Sequence, residues 1–257
     1  MKKAILVVSF GTSYLEQKKE SIDPCIHAIE EAFSDWDVYE SFSSSFLRKR
    51  LLKEHNLKML SPEESMETLQ QEGYEKVIIQ PLFLIEGIEY DKLLELQQAY
   101  EGETGIHQVA VGKALLSTQQ DYTKVVKELE DLYSGLDSDL LLLGHGTTHQ
   151  AHASYAQLRE MLDKTTLNCI VTTLEDRSHL EMLPFKNEKV TVVPFMLVAG
   201  MHILRDVMGD HEESFKYGLE QMGKQVEVVK KGLGSYTSTR AVYIGHIQNV
   251  IDTWENK

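Results

Sequence analysis

Leu140–His149 reads LLLLGHGTTH. An unbroken apolar run stops at Gly144-His145-Gly146-Thr147-Thr148, the pattern of a strand buried on both faces that ends in a tight loop and hands over to a helix. His145 then sits at the carboxyl end of a strand, the edge at which open parallel sheets bind ligands. The flanking glycines let the backbone come close to whatever is bound. Alone, a histidine in a turn is often no more than a tolerated polar residue. A second loop of the same make near the N-terminus, Ser9-Phe10-Gly11-Thr12-Ser13, marks this one as part of a repeated unit.

The chain has 257 residues, 42% hydrophobic and 26% charged, enough for one large domain or two smaller ones with a real core. Its two cysteines, Cys25 and Cys169, form neither a C-x-x-C pair nor a framework, and read as buried thiols of a reducing compartment. The start MKKAILVVSFGTS imitates a signal peptide, but its apolar core is short and runs into a Gly-Thr-Ser loop. It reads as the first strand of a cytoplasmic protein. No run approaches the roughly 18 apolar residues of a membrane span. A formal charge of −14 argues against nucleic acid as a partner. It also means that an anionic ligand needs cations and backbone donors gathered locally. Self-association into a homo-oligomer stays open.

Strand and helix patterns alternate along the chain. Strands are expected at Ala4–Ser9, Asp37–Phe42, Lys76–Leu82 and Gln108–Lys113. Asp23-Pro24 offers an N-cap followed by a proline at the first helical position, Ser61-Pro62-Glu63-Glu64 is a capping-box start, and a long helix is expected from about Thr118 to Tyr133. Ser134–Ser138 is the most linker-like stretch and divides the chain into halves 1–134 and 135–257. The second half repeats the order: a strand to Leu143, a helix from about Ala151 to Asp163, strands at Asn168–Thr172, Val190–Val193 and Val226–Val229, and a closing helix from Ser238 to Trp254. Pro81 to Pro194 and Gly87 to Gly200 are both 113 positions apart, so P-L-F-L-I-E-G-I-E matches P-F-M-L-V-A-G-M-H. Generic βαβ units resemble one another, but matching Gly-Thr loops and matching Pro-to-Gly loops in the same order exceed that resemblance. The expectation is an α/β protein of two similar lobes, each a parallel sheet flanked by helices, related by a pseudo-two-fold axis across a cleft.

At those offsets Phe10 falls opposite His145 and Glu89 opposite His202. A pseudo-two-fold axis would make the Phe10 and His145 loops face one another, and likewise the Glu89 and His202 loops. Two imidazoles and a carboxylate then surround one cleft, a donor set suited to cobalt, nickel, iron or zinc, with coordination positions left open as a reacting metal requires. Glu86 pairs with Ala199 in the repeat, which favours Glu89. His149 and His152 read as surface residues, and His27, His55, His107, His179, His211 and His246 as structural or solvated ones. Gly11, Thr12, Ser13, Gly146, Thr147 and Thr148 supply hydroxyls and helix-start N–H groups able to hold anions, or simply cap the helices that follow. Lys92, Arg205 and Arg48–Arg50 are candidate counter-charges.

The V-S-F-G-T-S start, P-L-F-L-I-E-G-I-E-Y, L-L-G-H-G-T and V-P-F-M-L-V-A-G-M-H together resemble the anaerobic sirohydrochlorin cobaltochelatases of cobalamin synthesis, class II chelatases, over nearly the whole chain. The resemblance implies two flavodoxin-like lobes, ATP-independent insertion of Co2+ into sirohydrochlorin, and His145, Glu89 and His202 as the metal-handling residues. It implies no cofactor beyond that substrate metal. Related chelatases take iron or nickel, so reaction type is better defined than metal. The tetrapyrrole must lose two N–H protons as the metal sheds water, so a base beside an open metal site is needed, and His145 is the candidate. Phe10, Leu84 and Met201 are candidates to pack on the macrocycle.

Two rivals share these residues. H-G-T after a strand is similar to the R-H-G loop of histidine phosphatases, but Gly144 stands where the phosphate-holding arginine would be. A non-catalytic metal- or haem-binding protein would use the same cleft.

Overall fold

Of the runs predicted as strands, Ala4–Ser9, the one ending at Leu143 and Val190–Val193 are buried end to end and the outer ones only in part, and together they form two separate sheets. A computed structural model describes residues 2–101, 105–200, 203–209 and 211–256. The first sheet contains β1 (Lys3–Ser9), β2 (Asp37–Phe42), β3 (Lys76–Pro81) and β4 (Gln108–Val111), in the order β2-β1-β3-β4. The second contains β5 (Asp139–Gly144), β6 (Cys169–Thr173), β7 (Lys189–Pro194) and β8 (Gln225–Val228), in the order β6-β5-β7-β8. All pairings are parallel. The two orders are the same once β5 is set on β1, as the repeat requires. Register agrees too: Val8 pairs with Pro81 in one sheet and Leu143 with Pro194 in the other. The next amide repeats the match, with Leu82 N–H donating to Val8 O (2.7 Å) and Phe195 N–H to Leu143 O (2.8 Å).

In the first half α1 (Leu15–Gln17) continues through a π turn at Lys18–Ile22 into α2 (Asp23–Ala32). Asp23 therefore does not cap a helix start, contrary to expectation. The proline explains the geometry: Pro24 has no N–H to return to the preceding turn and its ring crowds that turn, and the wider π turn, closed by Asp23 N–H to Lys18 O, makes room for it. The Asp23 carboxylate instead pairs with Lys18, which also meets Glu40 Oε2 at 2.9 Å. Then follow α3 (Ser45–His55), α4 (Pro62–Gln71), α5 (Ile88–Tyr100) and α6 (Gln119–Tyr133). The capping box predicted at Ser61 forms, with Glu64 N–H to Ser61 Oγ at 3.2 Å and Ser61 N–H to Glu64 Oε2 at 2.7 Å. The second half adds α7 (Ala153–Leu162), α8 (Phe215–Gln221) and α9 (Thr237–Glu255), with a 3-10 turn at Gln150–His152 and a longer one at Leu174–Met182.

Each sheet buries both faces. Ala4, Leu6, Val8, Val77 and Ile79 face α4 and α5, while Leu141, Leu143, Val190 and Val192 face α8 and the Leu174–Met182 turn. The remaining faces share one core: Ile5, Val7 and Ile78 from the first sheet, Leu140, Leu142, Val171 and Val193 from the second, and α2, α6, α7 and α9 between them. The chain's closing helix packs against β3 and α2 of the first half. Trp254 stacks on Trp36 at 6.3 Å, and the fully buried Tyr243 donates its hydroxyl to Phe83 O at 3.2 Å. Such a ring pair adds about 0.5–1.5 kcal/mol beyond the area it buries. Helix α6, in turn, packs against both α7 and α9. Among the described residues no helix is long and apolar enough to cross a membrane.

Candidate active site

The loops after β1 and β5 are built alike, from the residue types their sequences repeat. Gly11 (φ 98°) and Gly146 (φ 89°) both adopt the left-handed region that glycine tolerates without cost. A Cβ at Gly11 would come within 2.4 Å of the Phe42 ring, and one at Gly146 within 2.9 Å of the Glu175 carboxyl carbon. The next residue closes the same turn in each: Thr12 Oγ1 accepts Tyr14 N–H, and Thr147 Oγ1 accepts His149 N–H, both at 3.1 Å. These hydroxyls thus turn their own backbones, as side chains of this kind commonly do. Among the described residues neither hydroxyl donates its own proton. Ser13 is buried, and its carbonyl receives His55 Nε2–H at 3.2 Å.

At the position between strand and glycine the loops differ. Phe10 leaves 53% of its surface exposed. His145 is exposed too, with Nδ1 3.4 Å from Gly146 O. Its backbone is held from below, where the Tyr155 hydroxyl accepts the amides of His145 and Gly146. Burial raises the Tyr155 phenol above its ordinary pKa, so it stays a neutral anchor. Gly144 allows that approach, since a Cβ there would meet the Tyr155 ring at 2.4 Å.

The loops after β3 and β7 carry the other predicted groups. Phe83 and Leu84 carbonyls accept the Leu115 and Leu116 amides, both at 2.9 Å, and Met196 and Leu197 accept those of Leu233 (2.8 Å) and Gly234 (3.0 Å) in the matching places. Leu84 is partly buried against the shared core. Glu89 lies in the first turn of α5, paired with Lys92 Nζ at 2.6 Å. Glu86 accepts Ser117 Oγ–H at 2.8 Å and meets Lys113 Nζ at 3.3 Å. Met201 and His202 lie outside the described residues.

Contacts between the lobes run crosswise. His149, four residues after His145, places Nε2 3.1 Å from Asp91 Oδ2, two residues after Glu89. Because His149 Nδ1 accepts Ala151 N–H at 3.1 Å, Nε2 carries the proton donated to Asp91. His149 is therefore not the surface residue expected from sequence. It caps the short 3-10 turn at Gln150–His152 and bridges the halves. On the other side, a Cβ at Gly200 would stand 3.3 Å from Gln17 Oε1, which sets the loop after β7 beside α1. His145 and Glu89 thus belong to neighbouring segments, although among the described residues no three His, Cys, Asp or Glu side chains converge as a metal would require.

The expected counter-charges divide. Lys92 is taken by Glu89, Arg205 Nε lies 3.6 Å from Asp206 Oδ1, and Arg48 Nη1 donates to the carbonyls of Phe42 (2.5 Å) and Ser43 (3.0 Å). Buried His246 holds Lys113 O (3.0 Å) through Nδ1 and Asp121 Oδ2 (3.1 Å) through Nε2, so it is structural, as its isolated helical context suggested.

Comparisons agree with this geometry over the full chain. The sirohydrochlorin cobaltochelatase of Salmonella typhimurium strain LT2 is 29% identical, across 98% of this chain and 97% of that protein. The sirohydrochlorin cobaltochelatase CbiKC of Nitratidesulfovibrio vulgaris strain Hildenborough is 26% identical, across 99% of this chain and 93% of its own length. The crystal structure of the sirohydrochlorin chelatase SirB from Bacillus subtilis subspecies spizizenii, in complex with cobalt, shares the fold. Its TM-score is 0.64 at 15% identity, with 100% of this chain and 98% of that one covered. The family model described as cobalt chelatase (CbiK) matches residues 3–252, and the chain belongs to that family.

Proposed function

We propose that this protein inserts Co2+ into sirohydrochlorin without ATP, in the cytoplasm, with the metal as a substrate and no resident cofactor. The observation that carries the reading is the placing of exposed His145 at the carboxyl edge of β5, with the Glu89 helix brought alongside through the His149–Asp91 contact. Metal insertion is a ligand exchange. The ion needs a few protein donors that release it, and the macrocycle needs a base for two N–H protons. His145 serves as ligand and base, its backbone fixed by Tyr155 and its residue exposed at the strand's carboxyl end. Glu89 contributes negative charge toward the ion, and His202 is the third donor. Gly11, Thr12, Ser13, Gly146 and Thr147 supply N–H and O–H donors for carboxylates at the tetrapyrrole's rim, and Phe10, Leu84 and Met201 pack on its faces.

The test is optical. Metal-free sirohydrochlorin mixed with Co2+ and catalytic amounts of protein should convert to the cobalt chelate with many turnovers, at a rate proportional to protein. Parallel runs with Fe2+ and Ni2+, compared as kcat/KM, rank the metals. Stoichiometric binding without turnover would replace the enzyme with a metal- or tetrapyrrole-binding protein.

A further inference from the structure

In a chain whose formal charge is −14, the segment from Ser45 to Lys58 concentrates the opposite sign: Arg48, Lys49, Arg50, Lys53 and Lys58 against the single carboxylate of Glu54. Helix α3, which carries most of them, is clamped to the first site loop at both ends. Before it, Ser43 and Ser44 amides donate to Ser9 O (2.9 Å) and Phe10 O (3.3 Å), and at its end His55 reaches Ser13 O. Between them the Arg50 guanidinium lies 5.8 Å from the Tyr14 ring centre. The helix therefore runs along Phe10–Tyr14, on the ligand-binding edge of the sheet.

Its cations have different tasks. Arg48 closes the strand end, and Arg50 Nε is engaged by Glu54 Oε1 at 2.8 Å. Lys49 and Lys53 are exposed and make no ion pair among the described residues. Leu51 is the residue α3 buries, and positions 46, 49 and 53, spaced by three and four, lie on the opposite side of the helix. Phe46, 67% exposed, opens that stripe two residues after Phe10's partner Ser44. Solvated lysines alone need no explanation. Two exposed aromatic rings and two ammonium groups without an ion pair among the described residues, on a helix and on the loop at the sheet's carboxyl edge to which it is tied, are another matter. The corresponding stretch of the second half, Leu174–Met182, carries Glu175, Asp176 and Glu181 against Arg177, so positive charge here is not required by the scaffold.

We infer that the outer face of α3 is the subsite for the carboxylate rim of the tetrapyrrole: Lys49 and Lys53 pair with its acid side chains, and Phe46 and Phe10 cover the adjoining edge of the macrocycle. This rests on the chelatase reading. The same face repels a divalent cation, so it selects the organic substrate and not the metal.

The test uses the full chain with Lys49→Glu and Lys53→Glu combined, and Lys124→Glu on α6 as a charge control. Binding of metal-free sirohydrochlorin is titrated by its fluorescence at low and high salt, and cobalt insertion is followed at steady state. The double variant should weaken binding and raise the sirohydrochlorin KM about tenfold at low salt, with kcat and the Co2+ KM within twofold of wild type and a smaller salt effect. Lys49→Ala with Lys53→Ala should give about a threefold change, and Lys124→Glu none. Unchanged tetrapyrrole affinity in a double variant that still inserts cobalt overturns the subsite and leaves the chelatase reading standing. A fall in kcat at unchanged affinity overturns docking in favour of a role in the chemistry. Absence of insertion by the wild-type protein removes the chelatase reading itself.

Discussion

The two halves agree in backbone and disagree in chemistry. Strand order, the Val8–Pro81 and Leu143–Pro194 register, the positive-φ glycines and the threonine turns all match. Yet Phe10 stands where the second half has His145, and a basic helix stands where it has an acidic 3-10 turn. In the roles proposed above, a repeated scaffold is divided in labour, one edge taking the organic anion and the other the metal and the protons. Backbone geometry is what the fold must keep, because the central strands β1, β3, β5 and β7 are buried on both faces. The exposed residue at the strand's end is free to diverge.

How separate the halves are can be broken experimentally, and this carries the largest expected effect. Residues 1–134 without α9 would expose Trp36, Ile78 and Leu82, which the closing helix helps to cover. We expect that fragment to lack a cooperative thermal transition and to show collapsed amide dispersion by NMR, and a sharp transition would establish two independent domains. The next largest concerns the position where the loops diverge. His145→Ala should lower cobalt insertion at saturating Co2+ by about 10²–10⁴-fold, the range of a lost general base. Added imidazole should restore part of it, increasingly as pH rises through about 7, where free imidazole becomes neutral and can accept a proton. Near wild-type turnover would remove His145 from that role.

The strands and the repeat were legible because apolar runs, glycines and prolines are local signals with local causes. Even the capping box at Ser61 could be read directly. What could not be read depends on the other end of the chain. Nothing near Trp36 announces Trp254, 218 positions away, nor does His149 announce Asp91 in the other half. The π turn before Pro24 was missed for a different reason: Asp-Pro ordinarily starts a helix, and only the turns already formed from Leu15 make it a continuation. Of the proposed site, His145 and Glu89 could be placed by repeat offsets alone. Tyr155, which fixes the His145 backbone, had no motif and needed the fold.

The glycine pair sharpens the comparison on the side of stability. Forcing a side chain into the left-handed region costs roughly 1–2 kcal/mol at each position. The surroundings then separate them: at Gly11 the obstacle is the fully buried Phe42 ring, and at Gly146 it is the flexible end of Glu175. Gly11→Ala should lower Tm more than Gly146→Ala, while the latter should hurt insertion more because it moves the His145 loop. Equal Tm losses with equal activity would make the loops interchangeable.

The smallest effects are expected at the threonines, where structure and ligand binding compete for one hydroxyl. Each Oγ1 accepts an amide two residues on, so alanine at Thr12 or Thr147 should cost about 1 kcal/mol of stability through the lost turn bond. If the hydroxyl proton also meets a rim carboxylate, the sirohydrochlorin KM should rise by more than kcat falls, whereas equal losses in kcat and kcat/KM would indicate a transition-state role. Thr147→Ala should be the more harmful, since its turn sets His149 against Asp91 across the lobes. Serine retains both the acceptor and the proton, so Thr12→Ser and Thr147→Ser should recover KM. Alanine variants that lose Tm while keeping wild-type kinetics would reduce both threonines to turn formers, and the rim would then have to be held by backbone amides and the lysines of α3.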